Sequence, residues 1–373
     1  MFTAIERTWR SWRDLRRFSG SPPEHRRLVF YSEGTGYWRY FRGLVEQLLT
    51  TSSLTTSYVT SDPNDPMLNA SNPRLRTYYV GRESAMIAFF TALEAEVVVM
   101  TMPDLETFHV KRSRGVRQYV YLHHSMVSTH MVYRKGAFDH FDAILCVGPH
   151  HVAETRAWEA ANGLPPKRLV EHGYGLLDDI LAEAPPNPSG EKTVLLAPSW
   201  GPDGLLEKFG LPLCKCLRAM EARLIVRPHP RTVELNPQIV AELERQGFAI
   251  DRDREGWKSL RAADVLVSDW SGVALEYAFG LQRPVVFVDT PRKVNNRDYE
   301  RIRLLPFEVS VREKIGTIVP CDDWQPVREA VSAYLGGSPE AARERIGTVR
   351  EQAIFNVARS AAAGSNYLLS LVN

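Results

Sequence analysis

Short apolar runs alternate with segments of helical periodicity along most of this chain. In the first half, continuous apolar runs predict strands at RLVFYSEG, TTSYVT, RTYYVG, EVVVMT, QYVYLH and DAILCVG. The segments between several of them carry apolar residues at helical spacing, as in YWRYFRGLVEQLL, ESAMIAFFTAL and HHVAETRAWEAANG. Uninterrupted apolar strands separated by helices are typical of a parallel sheet covered on both faces. The first half therefore predicts an α/β domain.

A proline-rich segment, LAEAPPNPSGEK, interrupts this pattern and is typical of a linker between domains. The alternation then restarts, with strands predicted at KTVLLAPSW, ARLIVRPHP, FAIDRD, DVLVSDW and PVVFVDT, and the tail is helical only. The predicted boundaries are a first domain over 23–182, a linker over 183–192, a second domain over 193–345 and a C-terminal helix over 346–373. Such sheets bind ligands beyond the carboxyl ends of their strands, so we expect the site in the cleft between the domains.

The first 22 residues predict a basic amphipathic helix. Aromatic and arginine residues alternate there at helical spacing, which suits a helix lying on an anionic membrane surface through residues 1–18. The alternative is an ordinary helix docked on the protein by its tryptophans. No apolar run approaches the ~18 residues that span a bilayer, so we expect a cytoplasmic protein, peripheral to the inner face of the membrane under the first alternative.

Composition excludes some classes of function. The chain has 46 lysines and arginines against 44 aspartates and glutamates, and the resulting net charge of +2 argues against nucleic acid as a partner. The four cysteines lack the spacing of a metal site and are expected to be reduced thiols. The histidines of the first half match no common ligand spacing either, so neither a metal nor a cofactor is expected.

Several strands of the second half end in residues that suit phosphate binding. The segment SDWSG leads from a strand into a helix that begins near Ser271, where exposed backbone N–H groups and the helix dipole favour an anion. Glu276 would face the cleft from that helix and accept hydrogen bonds from ribose hydroxyls. The alternative is that Asp269 or Ser271 merely caps the helix. Ser199, after an adjacent strand, is expected at the same rim.

Two segments offer histidines for catalysis. In VRPHP, a proline on each side stiffens the turn around His229, which follows Arg227 and could stabilise charge on a phosphate. In QYVYLHHS, a histidine at the strand end faces the cleft from the other domain and could act as a general base. We place Gly34, Gly36 and Asp104 on the side of the cleft that would bind the acceptor. The two glycines do not form a dinucleotide-binding fingerprint, and the alternative for the Asp104 segment is a solvated charged loop.

Three segments together resemble the CDP-glycerol glycerophosphotransferase family, whose members build or prime teichoic-acid-like polymers. VLLAPSW, VRPHP and ADVLVSDWSGVALEYAFGLQRPVVFV stand in the family's order and spacing, where it usually has A-P-T-W, R-x-H-P and D-Y-S-S. YLHHSM resembles the family's W-H-G stretch and places His124 on its first-domain catalytic histidine. The resemblance covers about residues 120–290 well and the ends poorly.

The resemblance implies a GT-B fold, in which two Rossmann-like domains face a cleft and terminal helices cross back. It also implies transfer of glycerol phosphate from a CDP-activated donor to a hydroxyl of a lipid-linked or polymer acceptor, with release of CMP. His124 would be the base, and His229 would stabilise the phosphate under attack. The expected nucleotide and diphosphate residues are Ser199, Arg227, Ser268, Asp269, Ser271, Gly272 and Glu276.

Departures from the family pattern leave alternatives open. Ser125 stands where the family has glycine, Trp270 and Gly272 change its D-Y-S-S, and the loop over 290–300 is not the usual acidic one. The transferred group could therefore be ribitol phosphate or a sugar, and a sugar would make the protein a GT-B glycosyltransferase. UDP-sugar 2-epimerases share the fold and rank third. A catalytically silent nucleotide- or polymer-binding protein is a further possibility.

Overall fold

The first domain is built on a seven-stranded parallel sheet. In the computed structural model, which describes residues 4–34, 36–107, 110–183, 190–253 and 256–372, the strands of this sheet are ordered β3-β2-β1-β4-β5-β6-β7. Their bounds are β1 Leu28–Ser32, β2 Thr56–Thr60, β3 Leu75–Tyr79, β4 Glu94–Met100, β5 Gly115–Leu122, β6 Ala143–Cys146 and β7 Arg168–Glu171. Its helices are α1 Ala4–Ser19, α2 Trp38–Thr51, α3 Ser84–Ala92, α4 Thr129–Val132, α5 Pro149–Asn162 and α6 Gly175–Ala182. All five residues of β1 are buried, because apolar cores lie on both faces of the sheet.

The second domain repeats this plan with six parallel strands in the order β10-β9-β8-β11-β12-β13. The strands are β8 Thr193–Leu196, β9 Arg223–Val226, β10 Ala249–Ile250, β11 Val265–Ser268, β12 Val285–Val288 and β13 Gly316–Val319. The helices are α7 Leu205–Arg218, α8 Pro230–Leu235, α9 Pro237–Arg245, α10 Lys258–Ala262, α11 Gly272–Leu281, α12 Phe307–Ile315, α13 Gln325–Gly336, α14 Pro339–Ala353 and α15 Ser360–Val372.

The chain ends by crossing back to the first domain. Helix α14 packs on α11 and α12 of the second domain, whereas α15 packs on α2 and β4 of the first. The crossing runs close to the first domain, where the Phe355 amide donates to the Val147 carbonyl oxygen at 2.9 Å. The predicted α/β architecture of GT-B type is confirmed. The predicted boundary between residues 345 and 346 falls inside α14, and most of the predicted linker, at 184–189, lies outside the described residues.

The apolar runs in the sequence do not predict two of the edge strands, β7 and β13. Each has four residues, and β7 begins and ends with the exposed charged residues Arg168 and Glu171. A strand so short, with only two apolar residues between charges, does not stand out as an apolar run.

Helix α1 docks on the edge of the first sheet through its C-terminal half. Leu15 and Phe18 are buried, and the buried Asp14 accepts a hydrogen bond from the Tyr79 amide at 3.2 Å. Trp9 is 64% exposed and Ile5 is 82% exposed, whereas Trp12 is only 38% exposed, so Trp9 is not part of the docking contact. In the part of the chain that the structure describes, no helix is both long enough and apolar enough to cross a bilayer.

The two domains are held together beside the site by direct contacts of 126–135 and His150 with 295–308. The buried Glu308 accepts hydrogen bonds from the Ser128 amide at 2.8 Å and from its hydroxyl at 3.0 Å. The His150 ring stacks on Phe307 with 3.9 Å between ring centroids. These contacts fix the loop that follows β5 against the second domain.

A buried histidine makes the stability of this fold pH-dependent. His172 packs against Gly364 of α15, and burial lowers the pKa of its imidazole to about 4. The same group in the unfolded chain titrates near pH 6.5, so the unfolded state binds more protons as the pH falls below that value. The free energy of unfolding is therefore unaffected by this histidine well above pH 6.5. It decreases as the pH falls from about 6.5 to about 4.

We expect His172→Gln to remove this contribution. Relative to the variant, the wild-type free energy of unfolding should fall by about 2 kcal/mol between pH 7.5 and pH 5, measured by urea denaturation. Comparing the two proteins at each pH cancels the buried carboxyl groups, such as Glu33 and Glu276, whose raised pKa values act in the opposite direction. A difference that does not change with pH would contradict the prediction.

Candidate active site

His124 follows β5 and lies at the rim of the first sheet. Its Nδ1 is 3.0 Å from the carbonyl oxygen of Thr101, which follows β4. A carbonyl oxygen only accepts, so Nδ1 carries the proton of the neutral imidazole and Nε2 carries the lone pair. Burial lowers the pKa of His124 to about 4, so the ring is neutral at physiological pH. This tautomer is the one a general base needs.

Thr101 also connects His124 to Glu33, a residue that the sequence analysis did not identify. The Thr101 hydroxyl donates to the Glu33 carboxylate at 2.7 Å, and burial raises the pKa of Glu33 to about 7. The ring of Tyr37 lies 5.6 Å from the His124 ring, and that of Tyr40 lies 5.9 Å away. His124 is therefore set among aromatic side chains and near a carboxyl group whose pKa is raised to about 7.

The N-terminus of α11 approaches His124 from the second domain. A Cβ added at Gly272 would lie 3.0 Å from the Ser125 hydroxyl, so the start of α11 and the loop after β5 are in close contact. Ser271 is the N-cap of α11 and makes no side-chain capping hydrogen bond. The structure thus brings the predicted base and the predicted phosphate-binding helix end together.

Tyr174 joins the two domains directly behind this contact. Its hydroxyl lies 3.1 Å from the carbonyl oxygen of His124 and 2.7 Å from Oε1 of Glu276 on α11. Burial raises the pKa of Glu276, while the Arg39 charge acts in the opposite direction. The Glu276 carboxyl group, which is predicted to accept hydrogen bonds from a ribose, thus already accepts one from Tyr174 of the first domain.

Asp269 and Ser268 lie beneath the rim and support it. The buried Asp269 carboxylate accepts from the Ser199 amide at 2.7 Å and from the Leu205 amide at 3.2 Å. The buried Ser268 hydroxyl donates to the Ala197 carbonyl oxygen at 2.7 Å. Both side chains tie the loop after β8 to the start of α11. The structure places them as supports of that loop, and their contact with a diphosphate stays a prediction.

His229 ends the turn after β9 and is the N-cap of α8. Its Nδ1 accepts from the Arg231 amide at 3.1 Å. An accepting Nδ1 leaves the proton of the neutral ring on Nε2, so His229 presents a donor where His124 presents an acceptor. The flanking Pro228 and Pro230 lack N–H donors and restrict the turn. The preceding Arg227 bonds instead to Asp251 at 2.8 Å.

The predicted acceptor-side residues line the loops after β1 and β4. A Cβ on Gly34 would lie 2.8 Å from Nη2 of Arg82, and Gly36 has a φ of 81° that favours glycine. Asp104 has a φ of 65°, and burial raises the pKa of its carboxyl group. The described contacts do not join these three residues to His124, so their role stays a prediction. Within the described ranges, no three His, Cys, Asp or Glu side chains come together as metal ligands.

A family model for CDP-Glycerol:Poly(glycerophosphate) glycerophosphotransferase matches residues 16–310. The chain belongs to this family. The match covers more than the segment carrying the sequence resemblance, and it establishes a transferase of the CDP-glycerol glycerophosphotransferase type. No curated protein matches the chain significantly.

Solved structures agree on the fold. The chain is similar to the wall teichoic acid polymerase TagF, with a TM-score of 0.62 and 17% identity over 100% of this chain and 98% of that one. TagF has also been solved as an H444N variant soaked with CDPG. A putative UDP-N-acetylglucosamine 2-epimerase from Listeria monocytogenes has a TM-score of 0.58 and 12% identity over 92% of this chain and 95% of that one. S. aureus MnaA with UDP has a TM-score of 0.58 and 13% identity over 92% and 97%.

Proposed function

We propose that this member of the family transfers glycerol phosphate from CDP-glycerol to a hydroxyl of a lipid-linked or polymer acceptor and releases CMP. The observation that carries the proposal is the pair of opposite tautomers at the two rims. His124 offers a lone pair on Nε2 from the first domain, and His229 offers an Nε2–H from the second. The family match supports the donor, and the N-terminus of α11 supports binding of its diphosphate.

The transfer step follows from these roles. The acceptor oxygen attacks the phosphorus that bears glycerol, and its proton passes to Nε2 of His124. The bond from that phosphorus to the bridging oxygen breaks, and the electron pair leaves on CMP. Nε2–H of His229 donates to the phosphate and offsets the charge that develops there. Positioning and charge stabilisation supply most of the rate in such a transfer.

A donor panel tests this function. Purified protein supplied with a polyol-phosphate or lipid-linked acceptor should release CMP from CDP-glycerol, and the donors compared should be CDP-ribitol, UDP-sugars and CDP-sugars. Release of a nucleoside diphosphate from a sugar nucleotide would replace the proposal with a glycosyltransferase. Turnover of no donor would favour a protein that only binds nucleotides or polymers.

We further propose that α1 holds the enzyme on an anionic membrane surface. Its exposed residues Ile5 and Trp9 stand among arginines, while Leu15 and Phe18 dock the helix on the protein. The double substitution Ile5→Ser and Trp9→Ser should weaken binding to phosphatidylglycerol vesicles at least tenfold in a sedimentation assay. Leu235→Ser, at an exposed apolar residue of the second domain, is the matched control. Unchanged binding by the double variant would exclude this surface.

A further inference from the structure

Lys293, in the loop after β12, has hydrogen-bonding capacity that the protein does not use. Its Nζ lies 4.1 Å from the ring centroid of Trp200 and donates to the Trp200 carbonyl oxygen at 3.4 Å. An ammonium group has three N–H donors. Among the described residues this carbonyl is its one hydrogen-bond acceptor, and no carboxylate lies within ion-pair distance of it. Two donors of this half-buried ammonium group therefore have no acceptor among the described residues and can bind solvent or a ligand.

Two carboxylates, Asp269 and Glu207, act on the charge of Lys293 without forming an ion pair with it. Burial lowers the pKa of Lys293, and Asp269 and Glu207 only partly oppose this. Asp269 accepts from two backbone amides, and Oε1 of Glu207 accepts from the Thr232 hydroxyl at 2.7 Å, while its buried Oε2 has no hydrogen-bond partner among the described residues. A cation that is partly buried without a paired anion is costly. An anionic ligand would offset that cost.

Three donor groups surround the Trp200 indole. The ring of His229 lies 6.1 Å from that of Trp200, and the guanidinium carbon of Arg231 lies 5.1 Å from the Trp200 centroid. Lys293 approaches the same indole at 4.1 Å. Since Trp200 directly follows Ser199, this cluster adjoins the loop that Asp269 ties to the start of α11. The cationic group thus lies beside the histidine that is proposed to meet the phosphate.

We propose that Lys293 binds the terminal phosphate of the donor's diphosphate, the one that His229 contacts. This inference rests on the proposed function for the identity of the donor, but the ligand chemistry it requires is only that of a nucleoside diphosphate. A lysine ammonium serves such a group as a point charge. Lys293 lies in the 290–300 loop, where the sequence departs from the family pattern, so it is a binding residue of this chain that the motifs do not reveal.

Calorimetric titration of variants with CDP and CMP tests the assignment. Lys293→Gln should weaken CDP binding about tenfold or more and CMP binding by less than threefold, because CMP lacks the terminal phosphate. Lys293→Met, which keeps the aliphatic chain over the indole, should behave in the same way, and Lys293→Arg should retain most of the affinity. Lys314→Gln removes the same charge from an exposed helical position and should leave both affinities unchanged. Melting temperatures report whether each variant is folded.

The outcomes separate this inference from the proposed function. Wild-type-like CDP binding by both neutral variants, or equal losses for CDP and CMP, would overturn the role of Lys293. If the wild type binds UDP in place of CDP, the proposed donor is wrong, and the same comparison with UDP and UMP decides on Lys293. Failure of the wild type to bind CDP, UDP or inorganic pyrophosphate would overturn both.

Discussion

The substitution His124→Asn should reduce CMP release by about 10²- to 10⁴-fold while leaving CDP affinity within about twofold. The asparagine amide can still donate to the Thr101 carbonyl oxygen, as Nδ1 does at 3.0 Å in the wild type, so the local structure is kept. What is lost is the lone pair on Nε2. Steady-state rates and calorimetric binding of CDP measure the two effects separately.

The matched control is His140→Asn, at an exposed histidine of the same domain, which should keep full activity. The pH profile adds a second readout. Because burial lowers the pKa of His124 to about 4, loss of the base on acidification should not occur near pH 6.5. An acid limb near pH 7 would instead point to Glu33, and Glu33→Gln would abolish it. Activity above a tenth of wild type in His124→Asn would exclude His124 as the base.

At the opposite rim, His229→Asn should reduce kcat by about 10²- to 10³-fold with little change in stability. Asparagine is a good N-cap and can accept from the Arg231 amide as Nδ1 now does, so α8 is preserved. It has no counterpart of Nε2–H at the same reach. The rate of CMP release and the free energy of unfolding in urea are the two measurements.

The alanine substitution at the same position separates capping from catalysis. His229→Ala removes the cap as well and should cost about 1 kcal/mol of stability beyond His229→Asn, with a similar loss of rate. If His229→Asn turns over CDP-glycerol like the wild type, the histidine serves only as the helix cap. That result would remove the donor half of the proposed mechanism.

The parts of the fold that sequence analysis predicts well are those with long apolar runs. The strands β1, β8 and β11 are covered on both faces, so each appears in the sequence as a continuous apolar run. By contrast, β7 has only two apolar residues between two charged ones. The sequence predicts the start of α11 to within one residue, since Ser271 and Gly272 combine a capping residue with a turn from a strand.

The site was less accessible to such reasoning, because its residues meet only in three dimensions. Nothing near Tyr174 in the sequence indicates that its hydroxyl lies between the His124 carbonyl and Glu276. Likewise, Lys293 is more than 90 residues from Trp200 along the chain, and only the β8-β11-β12 order brings their loops to one rim. The tautomers of both histidines also depend on backbone partners that motif matching does not report.

The crossing of the C-terminal helix also bears on how the protein is made. Leu368 and Val372 of α15 are fully buried in the same core as Leu28 and Phe41. The side chains that complete this core are therefore translated after the entire second domain. Although domains synthesised first generally fold as units while the chain is still emerging, the first domain here lacks part of its interior until α15 has been made. Completion of the nascent first domain thus waits until α15, which follows the second domain, has left the ribosome.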